Sequence, residues 1–100
     1  MTDIPHLSIV IPAYNEEPNY KKGALDQVSK YLSKQQYSWE VFVVDDGSED
    51  STAALCADFA KKHNNFRVVK NPHQGKAETV KTGVREAKGE YILFTDFDQS

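Results

Sequence analysis

Four short apolar runs, each leading into a polar loop and separated by stretches of helical period, constrain this fold more than any other feature. They are Leu7–Ile11, Trp39–Val44, Phe66–Val69 and Tyr91–Phe94. All four read as strands; Leu7–Ile11 is a near-continuous apolar run that suits a buried one, and Tyr91–Phe94 reads as covered on both faces. Pro12 stops the first run because proline cannot donate to a ladder. Between the first two runs, Tyr20, Ala24, Leu25, Val28, Tyr31 and Leu32 follow a 3.6-residue period, predicting one amphipathic helix over residues 20–36. A second helix is capped by Asp50 or Ser51, turns Ala54, Leu55 and Phe59 to one face and closes at Asn64–Asn65. A third runs from Lys76 to Lys88 with Ala77, Val80, Val84 and Ala87 inward and Gly89 as its stop. Asp46–Gly47 alone suits a hairpin, but the residues after it keep helical period. The order is β-α-β-α-β-α-β, which implies an α/β fold with a parallel sheet and right-handed crossovers.

Composition narrows the class. One hundred residues allow one domain, and 39% hydrophobic with 27% charged places the chain among globular proteins rather than disordered ones. A net charge of -3 argues against nucleic-acid binding through a basic surface. Cys56 has no second cysteine to pair with, which fits a reducing compartment, and it reads as a small core or boundary residue. The apolar runs are too short for a signal peptide or a membrane span, so a cytoplasmic location is expected.

Parallel strands end on a common edge, so their C-terminal loops meet there. Three of those four loops carry acidic pairs: Glu16–Glu17, Asp45–Asp46, and Asp96 with Asp98. The fourth carries Gly75–Lys76. Asp96 and Asp98 stand at i, i+2 spacing, which on extended backbone points both carboxylates one way and Phe97 the other. Like charges gathered on one rim repel unless something positive sits among them. Mg²⁺ or Mn²⁺ carrying ligand phosphate meets that need, whereas an isolated Asp-x-Asp is otherwise an ordinary acidic loop. The chain has neither a Gly-x-Gly-x-x-Gly after its first strand nor a P-loop. His6, His63 and His73 lack metal-ligand spacing and read as surface or loop residues.

The blocks Ile9-Val-Ile-Pro-Ala-Tyr-Asn-Glu16, Val43-Val-Asp-Asp-Gly-Ser48 with Asp50-Ser-Thr52, Gly75-Lys76 with Gly83, and Thr95-Asp-Phe-Asp98 together resemble the family 2 glycosyltransferases. The likeness spans residues 7–100 and is strongest to the dolichyl- and polyprenyl-phosphate sugar synthases. It implies the Rossmann-like nucleotide-binding half of a GT-A fold, a UDP- or GDP-sugar donor and a Mg²⁺ or Mn²⁺ cofactor. By the resemblance, Pro12, Ala13, Tyr14 and Glu16 match the loop that holds base and ribose. Val43 and Asp45 match positions beside the base, where a carboxylate accepts from a base N–H. Asp46 and Gly47 shape the turn. Gly75 and Lys76 lie near the donor, the lysine offsetting diphosphate charge. Asp96 and Asp98 match the metal site, with Phe97 offering its backbone to the donor. Ala77 stands where a small glycine-like residue is usual, and Phe97 is bulkier than the residue usual between the two acids.

The resemblance also implies that residues 1–100 are the donor-binding part of a longer enzyme whose acceptor-side residues, including any general base, lie elsewhere. In that enzyme a lipid phosphate attacks the anomeric carbon with inversion, at the cytoplasmic face of a membrane. A last strand without a covering helix leaves an apolar face suited to a second copy of the chain. Two other readings stay open: a non-catalytic nucleotide-binding fragment, and a Mg²⁺-dependent phosphoacceptor signalling domain. The latter wants its acidic pair after the first strand, where this chain has Pro12.

Overall fold

The structure is a computed structural model that describes residues 4–98. Its elements are β1 (Leu7–Ala13), α1 (Glu17–Lys21), α2 (Ala24–Ser33), β2 (Trp39–Asp45), α3 (Thr52–Lys62), β3 (Phe66–Lys70), α4 (Lys76–Glu86) and β4 (Tyr91–Phe94). The four strands form one parallel sheet in the order β3-β2-β1-β4. The signalling fold considered above belongs to the other doubly wound order, 2-1-3-4-5, so this topology removes that reading.

The continuous apolar runs find their explanation in two cores. Ile9, Ile11, Val41 and Val43 turn to one face of the sheet, where Leu25, Val28 and Leu32 of α2 and Cys56 and Phe59 of α3 cover them. Val10, Phe42 and Val44 turn to the other face, with Val69 and Ala87 beside them. There α4 lies against β1 and β2. The crossovers through α1–α3 step from β1 to β3 over one face, and α4 steps back over the other. A change of face with a change of direction keeps one crossover hand.

Several expectations are corrected. β1 runs through Pro12 to Ala13. The Val10 carbonyl accepts from Thr95 N–H, and β4 pairs no further than Val10. Pro12 shares the side of Val10, so its missing donor falls where the ladder has already ended. The single helix expected over 20–36 is two, because Gly23 adopts φ 89 between α1 and α2. The period survives the break, which is why the spacing did not reveal it. β4 is not buried on both faces: its four residues are 44–63% exposed, since it is the edge strand beyond β1. The inward residues of α4 are Thr79 and Gly83, while Ala77 and Val84 face outward. Its helix ends at Glu86 with extended Ala87 as cap, so Gly89 is not its stop. Gly89 instead passes over Ser8, whose Oγ would lie 2.6 Å from an added Cβ. In α3 the buried face is Thr52, Cys56 and Phe59, with Ala54 outside.

Cys56 is a core residue. Burial pushes its thiol up to about 12, with Asp45, Asp50 and Glu16 adding repulsion to the thiolate. A thiol reagent at mildly alkaline pH is therefore expected to label it only as fast as the protein unfolds. Rapid labelling of the native protein would show the core to be open. No helix among the described residues is long and apolar enough to cross a membrane.

Candidate functional site

Strand order reverses between β1 and β4, and a crevice opens there beyond the strands' C-terminal ends. It is a cleft of about 350 Å³ lined by residues of all four C-terminal loops. Pro12, Ala13, Tyr14 and Glu16 line it from the β1 side, Gly75 and Lys76 from the start of α4, and Asp96, Phe97 and Asp98 from beyond β4. Nine of the eleven candidate residues thus meet in one place. Val43 and Asp45 do not line the cleft: Val43 is 1% exposed in the core and Asp45 is 3% exposed at the end of β2. Asp45 accepts from the Ser48 N–H at 3.1 Å and the Ser48 hydroxyl at 2.5 Å, closing the β2–α3 turn.

The β1–α1 and β2–α3 loops are fastened together residue by residue. Asn15 takes φ 52, a left-handed conformation that asparagine tolerates. Its N–H donates to Ser48 Oγ at 2.9 Å, and its side-chain oxygen accepts from Glu49 N–H at 2.8 Å. Glu16 N–H donates to Thr52 Oγ1 at 2.8 Å. The Asp50 carboxylate accepts from Thr52 N–H at 2.9 Å and Glu17 N–H at 3.3 Å. Asp50 rather than Ser51 therefore supplies the side-chain oxygen at the start of α3.

Asp46, expected from sequence only to shape the turn, lines the cleft instead, because Asp45 closes that turn, and His73 lines the cleft beside it. The Asp46 carboxylate accepts from Gln74 N–H at 2.8 Å and Gly75 N–H at 3.0 Å, holding the loop before α4 against the end of β2. Burial pushes its acid up, but those N–H groups, helped by Thr79 and His73, outweigh it and hold Asp46 below its ordinary value of 3.8. The folded state therefore binds fewer protons than the unfolded one near and below that pH, so stability rises with pH there. Wild type is expected to be more stable than Asp46→Asn at neutral pH. Thermal denaturation should show the advantage shrinking as pH falls through and below 3.8; a pH-independent gap would contradict this. Gly47 adopts φ 75, and a Cβ there would come 2.8 Å from His73 N, so the same turn needs glycine.

Asp46 had a readable signal, because two successive acids at a strand end point to opposite faces. With Asp45 turned to the Ser48 turn, Asp46 faces the cleft. His73 had no such signal, since only tertiary structure brings it to Tyr14 and Asp46.

Lys76 Nζ donates to Asp96 Oδ1, an exposed pair worth at most about 1 kcal/mol and so easily exchanged. Phe97 is 1% exposed and belongs to the core on the α2–α3 face, so its bulk is absorbed inside. Burying it fixes the turn that carries Asp96 and Asp98. These two bring hard oxygen donors to the cleft, and the Lys76 ammonium at Asp96 marks a place that accepts positive charge. Among the described residues, no three His, Cys, Asp or Glu stand close enough to enclose a metal by themselves. Two carboxylates completed by phosphate oxygens and water are the donor set of a Mg²⁺ or Mn²⁺ that arrives with a phosphate ligand, and the residues fit such an ion.

A larger cavity, about 550 Å³, lies at the strands' opposite ends beside Trp39, Glu40 and Arg67. Its buried acid is already satisfied: Glu40 accepts from the Ser8 hydroxyl at 2.6 Å and Lys88 N–H at 2.8 Å. Its role is to tie the α4–β4 loop to the sheet.

Comparison with known proteins follows the same lines. Residues 8–100 match the model of Glycosyl transferase family 2. The chain is 38% identical over 102 residues to the Dolichyl-phosphate beta-glucosyltransferase of Mus musculus, covering 92% of this chain and 31% of that protein. It is 34% identical over 99 residues to a Dolichyl-phosphate beta-glucosyltransferase of Trichomonas vaginalis, covering 93% of this chain. The chain spans 30% of that relative's length. Among solved structures, the mannosyltransferase PcManGT from Pyrobaculum calidifontis, in complex with GDP-Man and Mn²⁺, matches with a TM-score of 0.79 at 32% identity. That match covers 97% of this chain and 28% of that one. S. aureus TarS 1-349 in complex with UDP-GlcNAc matches at 0.68 and 28% identity, over 92% of this chain and 26% of that one. The four sequence blocks, the switch-point cleft they build and these likenesses agree: the chain belongs to glycosyl transferase family 2.

Proposed function

We propose that this chain is the donor-binding part of an enzyme that transfers a sugar from a nucleoside diphosphate sugar to a dolichyl or polyprenyl phosphate. The carrying observation is the cleft at the β1–β4 switch point, where Tyr14, Lys76, Asp96 and Asp98 converge. The relatives named for dolichyl phosphate and the neighbours holding GDP-Man or UDP-GlcNAc support the substrate class.

In this reading the β1 side of the cleft, Pro12 to Glu16, receives base and ribose. Asp96 and Asp98 hold a Mg²⁺ or Mn²⁺ whose chemistry, when bound, is to neutralise the departing diphosphate. Lys76 leaves Asp96 for the diphosphate and adds a second positive charge there. The fold keeps the loops that carry these groups in place before the donor arrives, so that of them only the exposed Lys76 side chain has to move. A phosphate acceptor is already ionised near neutral pH and needs little help from a base. The residues that would hold that acceptor, and its place at the cytoplasmic face of a membrane, belong to the longer protein proposed here.

Calorimetry with UDP and GDP, with and without Mn²⁺, tests the reading. Metal-dependent binding of either nucleotide is expected. Silence with both, or binding indifferent to metal, would contradict it.

A further inference from the structure

A closed circuit of contacts surrounds Tyr14. Asp46 N–H donates to the Ala13 carbonyl at 2.8 Å, fixing the residue before Tyr14 to the end of β2. His73 Nδ1 lies 3.0 Å from Asp46 Oδ2 and 3.1 Å from the Asp46 carbonyl. Both partners are acceptors, so Nδ1 carries the proton and the imidazole plane is set. That ring lies on Tyr14, centroids 4.3 Å apart and planes 27° from parallel. The His73 backbone is held as well, by the Gln74 and Gly75 bonds to Asp46 and by the close approach of Gly47. Tyr14 is 38% exposed and lines the cleft, so His73 does not cover it completely.

We propose that His73 is a positioning residue of the donor site. Tethered to Asp46, it backs the Tyr14 ring and holds it as a fixed wall against which the base of the nucleotide stacks. This rests on the donor-binding reading above. An aromatic wall fixed in advance loses no rotamer freedom when a flat ligand lands on it. An aromatic pair contributes about 0.5–1.5 kcal/mol beyond area burial, which sets the scale of the effect. The His73 side chain is 58% exposed, so replacing it leaves both cores untouched.

The test compares His73→Ala, His73→Phe and His73→Asn with wild type by calorimetry in Mn²⁺, using UDP, GDP and inorganic pyrophosphate. His73→Ala should weaken the preferred nucleoside diphosphate about three- to tenfold. It should leave pyrophosphate unchanged, because the effect is on the base. His73→Phe, which keeps the stack and loses the tether, should recover most of the affinity. His73→Asn, which keeps a donor near Asp46 and loses the stack, should not. Four outcomes would overturn the proposal: unchanged binding in His73→Ala, an equal loss for pyrophosphate, recovery by His73→Asn instead of His73→Phe, or tighter binding in His73→Ala. The last would mean that the imidazole occupies the base's own place. If wild type binds neither nucleotide, the donor-binding reading has failed and this inference falls with it. Binding by wild type with no change in the variants removes this inference alone.

Discussion

Asp98→Ala is expected to weaken Mn²⁺-dependent binding of a nucleoside diphosphate by about a hundredfold or more, with the fold intact. Loss of a group that merely supports a metal ligand reduces affinity about 10- to 100-fold, and loss of a ligand itself should do at least as much. Asp98 is exposed at the cleft, so removing its carboxylate creates no cavity. Asp96→Ala also releases Lys76 from its ion pair, so its effect combines a lost carboxylate with a freed ammonium. In the longer enzyme proposed here, Asp98→Ala should remove most transfer activity. Unchanged metal-dependent affinity, with circular dichroism matching wild type, would argue against a cation on this pair.

The second large effect concerns the packing that holds the cleft's α4 side. Gly83 faces the sheet, and an added Cβ would sit 2.2 Å from Val10 Cγ1 and 3.0 Å from Val10 Cγ2. Val10 is fully buried in the second core and cannot swing aside. Gly83→Ala therefore drives α4 off the sheet despite alanine's better helix propensity, a gain of at most about 1 kcal/mol. Overpacking at such a contact destabilises by about 1–3 kcal/mol or more. Chemical denaturation should show that loss, and Val10→Ala in the same molecule should restore part of it by opening room. A stabilised Gly83→Ala protein would mean that α4 does not sit on β1 as described.

The two packing faces explain what the sequence did and did not disclose. The run Val41–Val44 announced a strand of a parallel sheet, and Val41 and Val43 pack against one layer of helices and Phe42 and Val44 against the other. The expectation of cover on both faces fails for Tyr91–Phe94, because composition does not say whether a strand stands at a sheet's edge. In α4 the apolar residues do not mark the inner face. The helix instead approaches so closely that Gly83 and Thr79 are what fits beneath it. The break at Gly23 leaves no mark on the periodicity, because a left-handed glycine interrupts the backbone without disturbing the apolar stripe.

Site residues divide in a similar way. Asp96, Asp98, Gly75 and Lys76 follow strand ends or open a helix, so their convergence was legible from topology alone. Asp45 and Asp46 were legible as a pair, but their division of labour was not. It depends on Ser48 closing the turn over Asp45 and on the loop before α4 donating to Asp46. His73 entered only with the structure, since its partners Tyr14 and Asp46 lie 59 and 27 positions away in the chain.

On the proposed function, the C-terminal rim between β1 and β4 holds a cation together with a nucleotide. Paramagnetic broadening by Mn²⁺ of nitrogen-labelled amides, recorded with UDP or GDP present, reports that location directly. Signals of residues 95–98 should vanish first, with residues 12–16 and 73–76 following, and Trp39 and Arg67 at the opposite end should stay sharp. Broadening centred on Trp39 and Arg67, or spread evenly over the surface, would contradict the account.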